Sequence, residues 1–272
     1  MTLNSETTLE GSDDLSWDFE DLQKVGAPAT ILPTVMLRLG LADSYFSIET
    51  PIGAVFVASN PRGISAVMSA DDGASFEHAF REQFGRPVYP ATDGASVLRS
   101  AVRDQLRGEP RGRLQFDIRG LSEFEQAVLR KALEIPRGEV RPYAWIAREI
   151  GHPRAVRAVG TALARNPIPL LIPCHRVVRS DGVIGRYGLG DENKHVILEE
   201  EGAQPAELRR LAKAGARFVG SATTHIFCFP TCRHARRVQP RHQRMFASEA
   251  DASSRGFRPC KVCRPAPLAM QA

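Results

Sequence analysis

Cys228 and Cys232 are followed, after 27 intervening residues, by Cys260 and Cys263. A C-x3-C pair answered by a C-x2-C pair is the spacing of a tetrahedral zinc site, and a segment that must bring four sulfurs to one point has to fold around that point. A redox pair and unrelated free thiols are the competing readings of the same residues. Zn2+ is the expected cofactor, and a region this short is expected to need it to fold. His225, His234 and His242 are near enough to compete as ligands, but four cysteines complete the set without them. The fifth cysteine, Cys174, lies apart, next to a histidine. An odd cysteine count with metal spacing points to a reducing compartment and not to a disulfide framework.

The length, 272 residues, suits two domains and a tail. The net charge of +5 hides an asymmetry: residues 203–272 carry 13 Lys+Arg against 3 Asp+Glu, whereas residues 1–34 carry one Lys against 7 acids. A basic end around a zinc site reads as a phosphate-binding surface, with a solvated tail as the plain alternative. The acidic, polar N-terminus is not of signal-peptide type, and no apolar run reaches membrane-spanning length, so no membrane role is expected.

Residues 1–34 lack periodicity and read as a disordered tail. Tyr45–Glu49, Ala54–Ser59 and Ile64–Ser69 alternate as strands separated by Pro/Gly turns, and two helices are expected near Ser75–Phe84 and Ala95–Leu106. Ser122 and Glu125 form a capping-box pair, after which Phe124, Val128, Leu129 and Leu133 recur at helical spacing. Two short helical patterns, Tyr143–Ile150 and Arg154–Arg165, flank Gly151-His152-Pro153 in the outline of a helix-turn-helix. The second is rich in small residues, including Ala158 and Gly160. Small side chains suit close packing on a core and close approach to a minor groove equally.

Cys174 follows a rigid, proline-punctuated run, Asn166-Pro-Ile-Pro-Leu-Leu-Ile-Pro173, and precedes His175-Arg-Val-Val. A lone cysteine is commonly a small buried hydrophobe. An adjacent histidine can make it a nucleophile, and that histidine needs an orienting partner. Glu199, Glu200 and Glu201 are all available, and spacing alone does not choose among them. A thiol protease is a weaker reading, since the pair is adjacent in sequence and no oxyanion motif accompanies it.

Residues 118–202 resemble the catalytic domain of the O6-alkylguanine-DNA alkyltransferases, the methylated-DNA–protein-cysteine methyltransferases. The resemblance is carried by Pro136-Arg-Gly-Glu-Val140, Tyr143, Arg157-Ala-Val-Gly160, Asn166-Pro167, Pro173-Cys-His-Arg-Val177 and Leu198 to Gly202. It implies that Cys174 takes the alkyl group of O6-alkylguanine, and of O4-alkylthymine, irreversibly as a thioether. It further implies that His175 draws the thiol proton through a water, Glu201 orients His175, and Asn166 braces the turn. Tyr143 would donate toward the departing guanine, Arg157 would fill the gap in the base stack, Ala158 and Gly160 would lie on DNA, and Tyr187 would border the base pocket. Base flipping is the physical requirement behind those roles, because an alkyl carbon inside a duplex is out of reach. The family often carries a serine after the tyrosine of its pocket loop; Tyr187-Gly188-Leu189-Gly190 lacks that hydroxyl, which bears on alkyl-group preference. Residues 35–117 fit the family's ribonuclease-H-like N-terminal domain.

Residues 217–265 resemble the metal-binding domain of Ada-type repair proteins, through Thr223-Thr224, Ile226-Phe-Cys228, Pro230, Cys232-Arg233 and Gly256-Phe-Arg-Pro-Cys-Lys261 with Cys263. There the first ligand cysteine, here Cys228, accepts methyl from a methyl phosphotriester, so Cys228 is a candidate second acceptor beside the purely structural role that four-cysteine sites commonly have. His225 replaces the usual Gly, and Phe229 the usual Arg. The expected architecture is α+β: a tail (1–34), a ribonuclease-H-like domain (35–117), a helical helix-turn-helix alkyltransferase domain (118–202), a linker (203–216) and a zinc domain (217–266). The expected function is single-turnover DNA repair on double-stranded DNA containing alkylated guanine, by a monomer in the cytoplasm at the nucleoid. A non-catalytic lesion sensor or transcription regulator is the alternative.

Overall fold

The computed structural model describes residues 31–91, 95–181, 183–185 and 187–266, and its chain is mixed α and β. Residues 1–30 of the expected tail lie outside the described residues, but Ile31–Arg38 is a helix (α1), so the expectation of disorder does not hold to residue 34. Its apolar positions Ile31, Leu32, Val35 and Met36 recur at helical spacing, and Tyr89 Oη reaches Met36 Sδ.

Three strands follow as a meander, β1 (Asp43–Thr50), β2 (Gly53–Asn60) and β3 (Gly63–Met68), with both pairings antiparallel. Helix α2 (Gly73–Phe84) crosses back so that β4 (Val88–Pro90) lies parallel to β1, giving the order β3-β2-β1-β4. Asp72 caps α2 through the Ser75 N–H, and Gly85 in the left-handed region ends it. One face of the sheet packs Tyr45 and Phe56 against Phe76 and Phe80 of α2. The other face, with Phe46, Val55 and Val67, joins the core of the rest of the chain beside α3 (Ser96–Arg107). The sheet is tied to the cysteine-bearing loop by the Val67 N–H, which donates to Pro167 O at 2.9 Å.

Helix α4 (Glu123–Ala132) begins at the capping box read from sequence: Ser122 Oγ accepts the Glu125 N–H, and Glu125 returns to the Ser122 N–H. It packs on α5 (Tyr143–Glu149) and α6 (Val156–Ala164), the two helices expected around Gly151-His152-Pro153. Short strands β5 (Arg141–Pro142) and β6 (Val177–Val178) pair in parallel and close this unit, followed by α7 (Asp191–Glu200).

Residues 203–216, expected as a linker, instead carry α8 (Pro205–Lys213). Pro205 at its first position is pre-set for a helix start, and Leu208 and Leu211 are buried one turn apart. The C-terminal module is a second sheet, β10-β8-β7-β9, made of β7 (Phe218–Ser221), β8 (Ile226–Cys228), β9 (Gln243–Phe246) and β10 (Arg258–Pro259). Short helices α9 (Arg233–Arg236) and α10 (Glu249–Ser254) complete it. The module does not stand apart, because Val219, Phe229 and Ala235 share one core with Trp145 and the other helix residues.

Candidate active site and metal centre

Cys174 opens a single turn of 3-10 helix, Cys174–Arg176, at the end of the proline-rich loop. That loop is held by two tight three-residue turns. Leu171 N–H donates to Pro169 O across Leu170, whose φ is 69°, and Cys174 N–H donates to Ile172 O across Pro173, with φ −81° and ψ 62°. A left-handed leucine is strained, and its presence beside a cysteine marks a loop set by its surroundings. Asn166 is the staple. Its Oδ1 accepts the Ile168 N–H at 3.0 Å, and its Nδ2 donates to Ile172 O at 2.9 Å and to Cys174 Sγ at 3.2 Å.

Cys174 is 7% exposed and His175 fully buried. Burial pushes the Cys174 thiol up; the Asn166 amide and the Lys194 ammonium work against it. Burial also lowers His175, against the pull of Glu201, so the imidazole is neutral near pH 7. His175 Nε2 meets Glu201 Oε1 at 3.1 Å, while Nδ1 is buried and makes no hydrogen bond to the protein. With Nε2–H held by a carboxylate, Nδ1 is the free lone pair, placed to receive a proton. The three glutamates are thereby sorted: Glu199 and Glu200 face solvent, and Glu201 turns inward. Arg176 donates to both Glu201 oxygens, at 2.8 and 2.7 Å. Burial works to raise the Glu201 carboxyl, but the bonds from His175 and Arg176 win and bring it to about 2.

Tyr143 begins α5, and burial followed by the Cys174 charge raises its phenol. A Cβ on Gly185 would stand 3.3 Å from Tyr143 Oη, so glycine there leaves the hydroxyl its room. Tyr187 is buried with its ring edge-on to His175, at 6.0 Å between centroids. On α6 the core-packing expectation holds for one face, and the other face is open. Val159, Ala162 and Leu163 are buried in the core, while Arg157 and Ala158 are exposed and Gly160 is half-buried. The chain thus brings Cys174, His175, Glu201, Asn166, Tyr143 and Tyr187 together, with Arg157 and Ala158 on the free face of the neighbouring helix. Two residues given no role from sequence join the site. Arg176 sits within the matched segment, and Lys194 is a fully buried lysine whose Nζ donates to Val177 O at 2.7 Å. Burial lowers Lys194 to about 8.

The four remaining cysteines, all buried, bring their sulfurs within 4.8 Å of one another. A set of four soft donors is what zinc requires, so the residues fit the metal. Cys228 and Cys260 line a cavity of about 480 Å³ whose rim carries His234, Arg237, His242, Arg258 and Lys261. His225 has φ 50°, which accounts for glycine being usual there; its ring lies 5.1 Å from that of Phe257.

Residues 123–203 match the family model of the 6-O-methylguanine DNA methyltransferase DNA-binding domain, and residues 206–266 that of the metal-binding domain of Ada. A methylated-DNA–protein-cysteine methyltransferase of Mycobacterium tuberculosis H37Rv is 43% identical over 170 residues, covering 60% of this chain and 96% of that protein. The Escherichia coli K12 bifunctional transcriptional activator/DNA repair enzyme Ada is 35% identical over 168 residues, 59% of this chain; the match spans only 46% of Ada. A crystal structure of Mycobacterium tuberculosis OGT in complex with DNA aligns with a TM-score of 0.48 at 30% identity, over 61% of this chain and 99% of that one.

Proposed function

The chain belongs to the methylated-DNA–protein-cysteine methyltransferase family, and from that premise we propose how its own residues carry out the repair. The protein repairs DNA by direct transfer of an alkyl group to a cysteine, and its C-terminal module binds zinc. Cys174 is the acceptor. Its Sγ forms a bond to the O6-alkyl carbon as the O6–carbon bond breaks. The thiol proton passes to His175 Nδ1 through a water, and Tyr143 donates to the leaving guanine, so guanine departs neutral. Because a thioether is a poor leaving group, each molecule reacts once. Arg157 fills the stack left by the flipped base, Ala158 and Gly160 lie along the groove, and Tyr187 borders the base pocket. O4-alkylthymine presents the same alkyl–oxygen bond and belongs to the same substrate class. The observation that carries this reading is the Glu201–His175 pair with a free Nδ1 beside the buried Cys174.

Residues 35–117 serve as a ribonuclease-H-like domain, and the order β3-β2-β1-β4 with a parallel last strand supports that form. Cys228, Cys232, Cys260 and Cys263 hold the zinc, which would keep their sulfurs as thiolates. Cys228, opening on a basic cavity, is the second methyl acceptor, for methyl phosphotriesters.

Intact mass and peptide mapping after incubation with duplex DNA containing O6-methylguanine test the first transfer, and duplexes carrying methyl phosphotriesters test the second. One methyl on Cys174, then one on Cys228, is the expected result. Absence of methyl on Cys174 in folded, zinc-loaded protein would overturn the assignment.

A further inference from the structure

The residues Gly138–Arg141 form a strap on which both halves of the guanine-repair site rest. At one end Gly138, with φ 73°, points its N–H at Glu201 Oε2 (3.4 Å). A Cβ there would stand 2.5 Å from Glu201 O, so strap and glutamate are in direct contact and no side chain fits between them. At the other end Arg141 and Pro142 pair with Val177 and Val178, immediately after the Cys174–Arg176 turn, and Tyr143 follows.

The zinc module grips this strap at successive residues. Arg236 donates to Gly138 O, and the Glu139 carboxylate accepts the Arg233 N–H at 2.9 Å. Thr231 Oγ1 accepts the Val140 N–H at 2.9 Å and donates to Val140 O at 3.3 Å. Arg141 pairs with Glu139, and its guanidinium lies between the rings of Trp145 and Phe229, at 5.8 and 5.2 Å. Glu139, Arg141 and Thr231 are 3%, 2% and 5% exposed, so a partner lost here is not replaced by water. Phe229 is the position where the metal-domain family usually has Arg; in this chain the ring serves the contact between modules. Phe229, Thr231, Arg233 and Arg236 belong to the loop around the zinc ligand Cys232 and the helix that follows it.

We infer that Thr231, Arg233 and Arg236 are positioning residues for transfer to Cys174: by clamping the strap they fix Glu201, and through it the orientation of His175. The inference rests on the reading of Cys174 as alkyl acceptor. It makes the zinc module a working part of guanine repair and not only an added DNA contact.

Its test uses full-length, zinc-loaded protein with the substitutions Thr231→Val and Arg236→Met. Single-turnover methyl transfer is measured at saturating O6-methylguanine duplex, which separates the transfer step from DNA affinity, and His175 is titrated by NMR. Each variant is expected to transfer about five- to tenfold more slowly, the effect of one or two hydrogen bonds. The His175 titration is expected to shift, with DNA affinity unchanged. Folded variants with wild-type rate and wild-type titration overturn the inference. Should a variant not fold, the wild type is compared before and after zinc removal by a chelator. Slower transfer with faster amide exchange across 138–142 supports the clamp; unchanged exchange and rate overturn it. A wild type that places no methyl on Cys174 sinks the functional reading itself, whereas methylation in all proteins at one rate sinks only this inference.

Discussion

Replacing Glu201 by Gln keeps the shape of the side chain and removes its charge, and the surroundings set the size of the effect. The carboxylate is 5% exposed and accepts from His175 at 3.1 Å and from Arg176 at 2.8 and 2.7 Å. Breaking a buried ion pair by neutralising one partner costs about 3–5 kcal/mol. Arg176 keeps its bond to Ile135 O at 2.6 Å and its side chain is 14% exposed, which places the loss near the lower end, about 3 kcal/mol. The effect on chemistry is separate. If the amide oxygen faces Arg176, the amide N–H2 faces His175 Nε2, which must then accept. The imidazole proton moves to Nδ1, the nitrogen needed for the thiol proton. Loss of a general base lowers a rate by about 10²- to 10⁴-fold. Rapid-quench single-turnover transfer, run below the melting point determined by circular dichroism, reads the two effects apart. A folded Glu201→Gln protein transferring at the wild-type rate would refute the relay.

Three further outcomes are expected. Asn166→Ala removes bonds to Ile168, Ile172 and Cys174 Sγ. It should cost about 2–3 kcal/mol in urea denaturation and move the pH midpoint of transfer upward, since that amide holds the thiol down. Lys194→Met should stabilise the fold at pH 7 while slowing transfer. Burial holds the lysine at about 8 against an ordinary 10.5, so below pH 8 the fold carries a disfavoured charge, and wild-type stability should rise between those values. The gain is at most about 3 kcal/mol, less the bond to Val177 O, and urea denaturation at pH 7 and 10.5 with single-turnover kinetics tests both halves. In acid the Glu201 carboxyl, lowered from 4.5 to about 2, contributes stability fully present above 4.5 and lost as pH falls toward 2. The contribution is about 3 kcal/mol, and the pH slope between 5 and 3 should flatten in Glu201→Gln.

The choice among Glu199, Glu200 and Glu201 was more legible than it looked from the proline-rich loop alone. Lys194, Ile197, Leu198 and Glu201 recur at i, i+3, i+4 and i+7, and the three helical members are the buried residues of α7. One face of that helix therefore delivers both the hidden ammonium and the orienting carboxylate. The supposed linker also carried its own signals, Pro205 at a helix start and leucines one turn apart. A charged composition, with Glu207, Arg209, Arg210 and Lys213, obscured them. The capping box at Ser122 was readable because its two partners are three residues apart. The grip of Thr231 on Val140 spans 91 residues and depends on a neutral hydroxyl, so no local pattern could announce it. Phe229 was visible as a departure, but its use against Arg141 needs the folded interface.

The thiols of Cys174 and Cys228 face one obstacle, the unfavourable burial of a sulfur anion, and meet it by unlike means. Cys174 stays protonated at rest, since burial outweighs the Asn166 amide and the Lys194 ammonium; in the proposed relay it gives its proton to His175. Four sulfurs within 4.8 Å cannot all be anions without a cation among them, so Cys228 depends on zinc and needs no base. Acid, or a change at Glu201, therefore disables the first thiol by way of the relay and leaves a metal-held sulfur largely untouched until its ligands are protonated. Metal removal disables the second thiol directly, and under the clamp at Gly138–Val140 it reaches the first as well. A loss confined to guanine repair thus points to the relay, whereas a joint loss points to the metal.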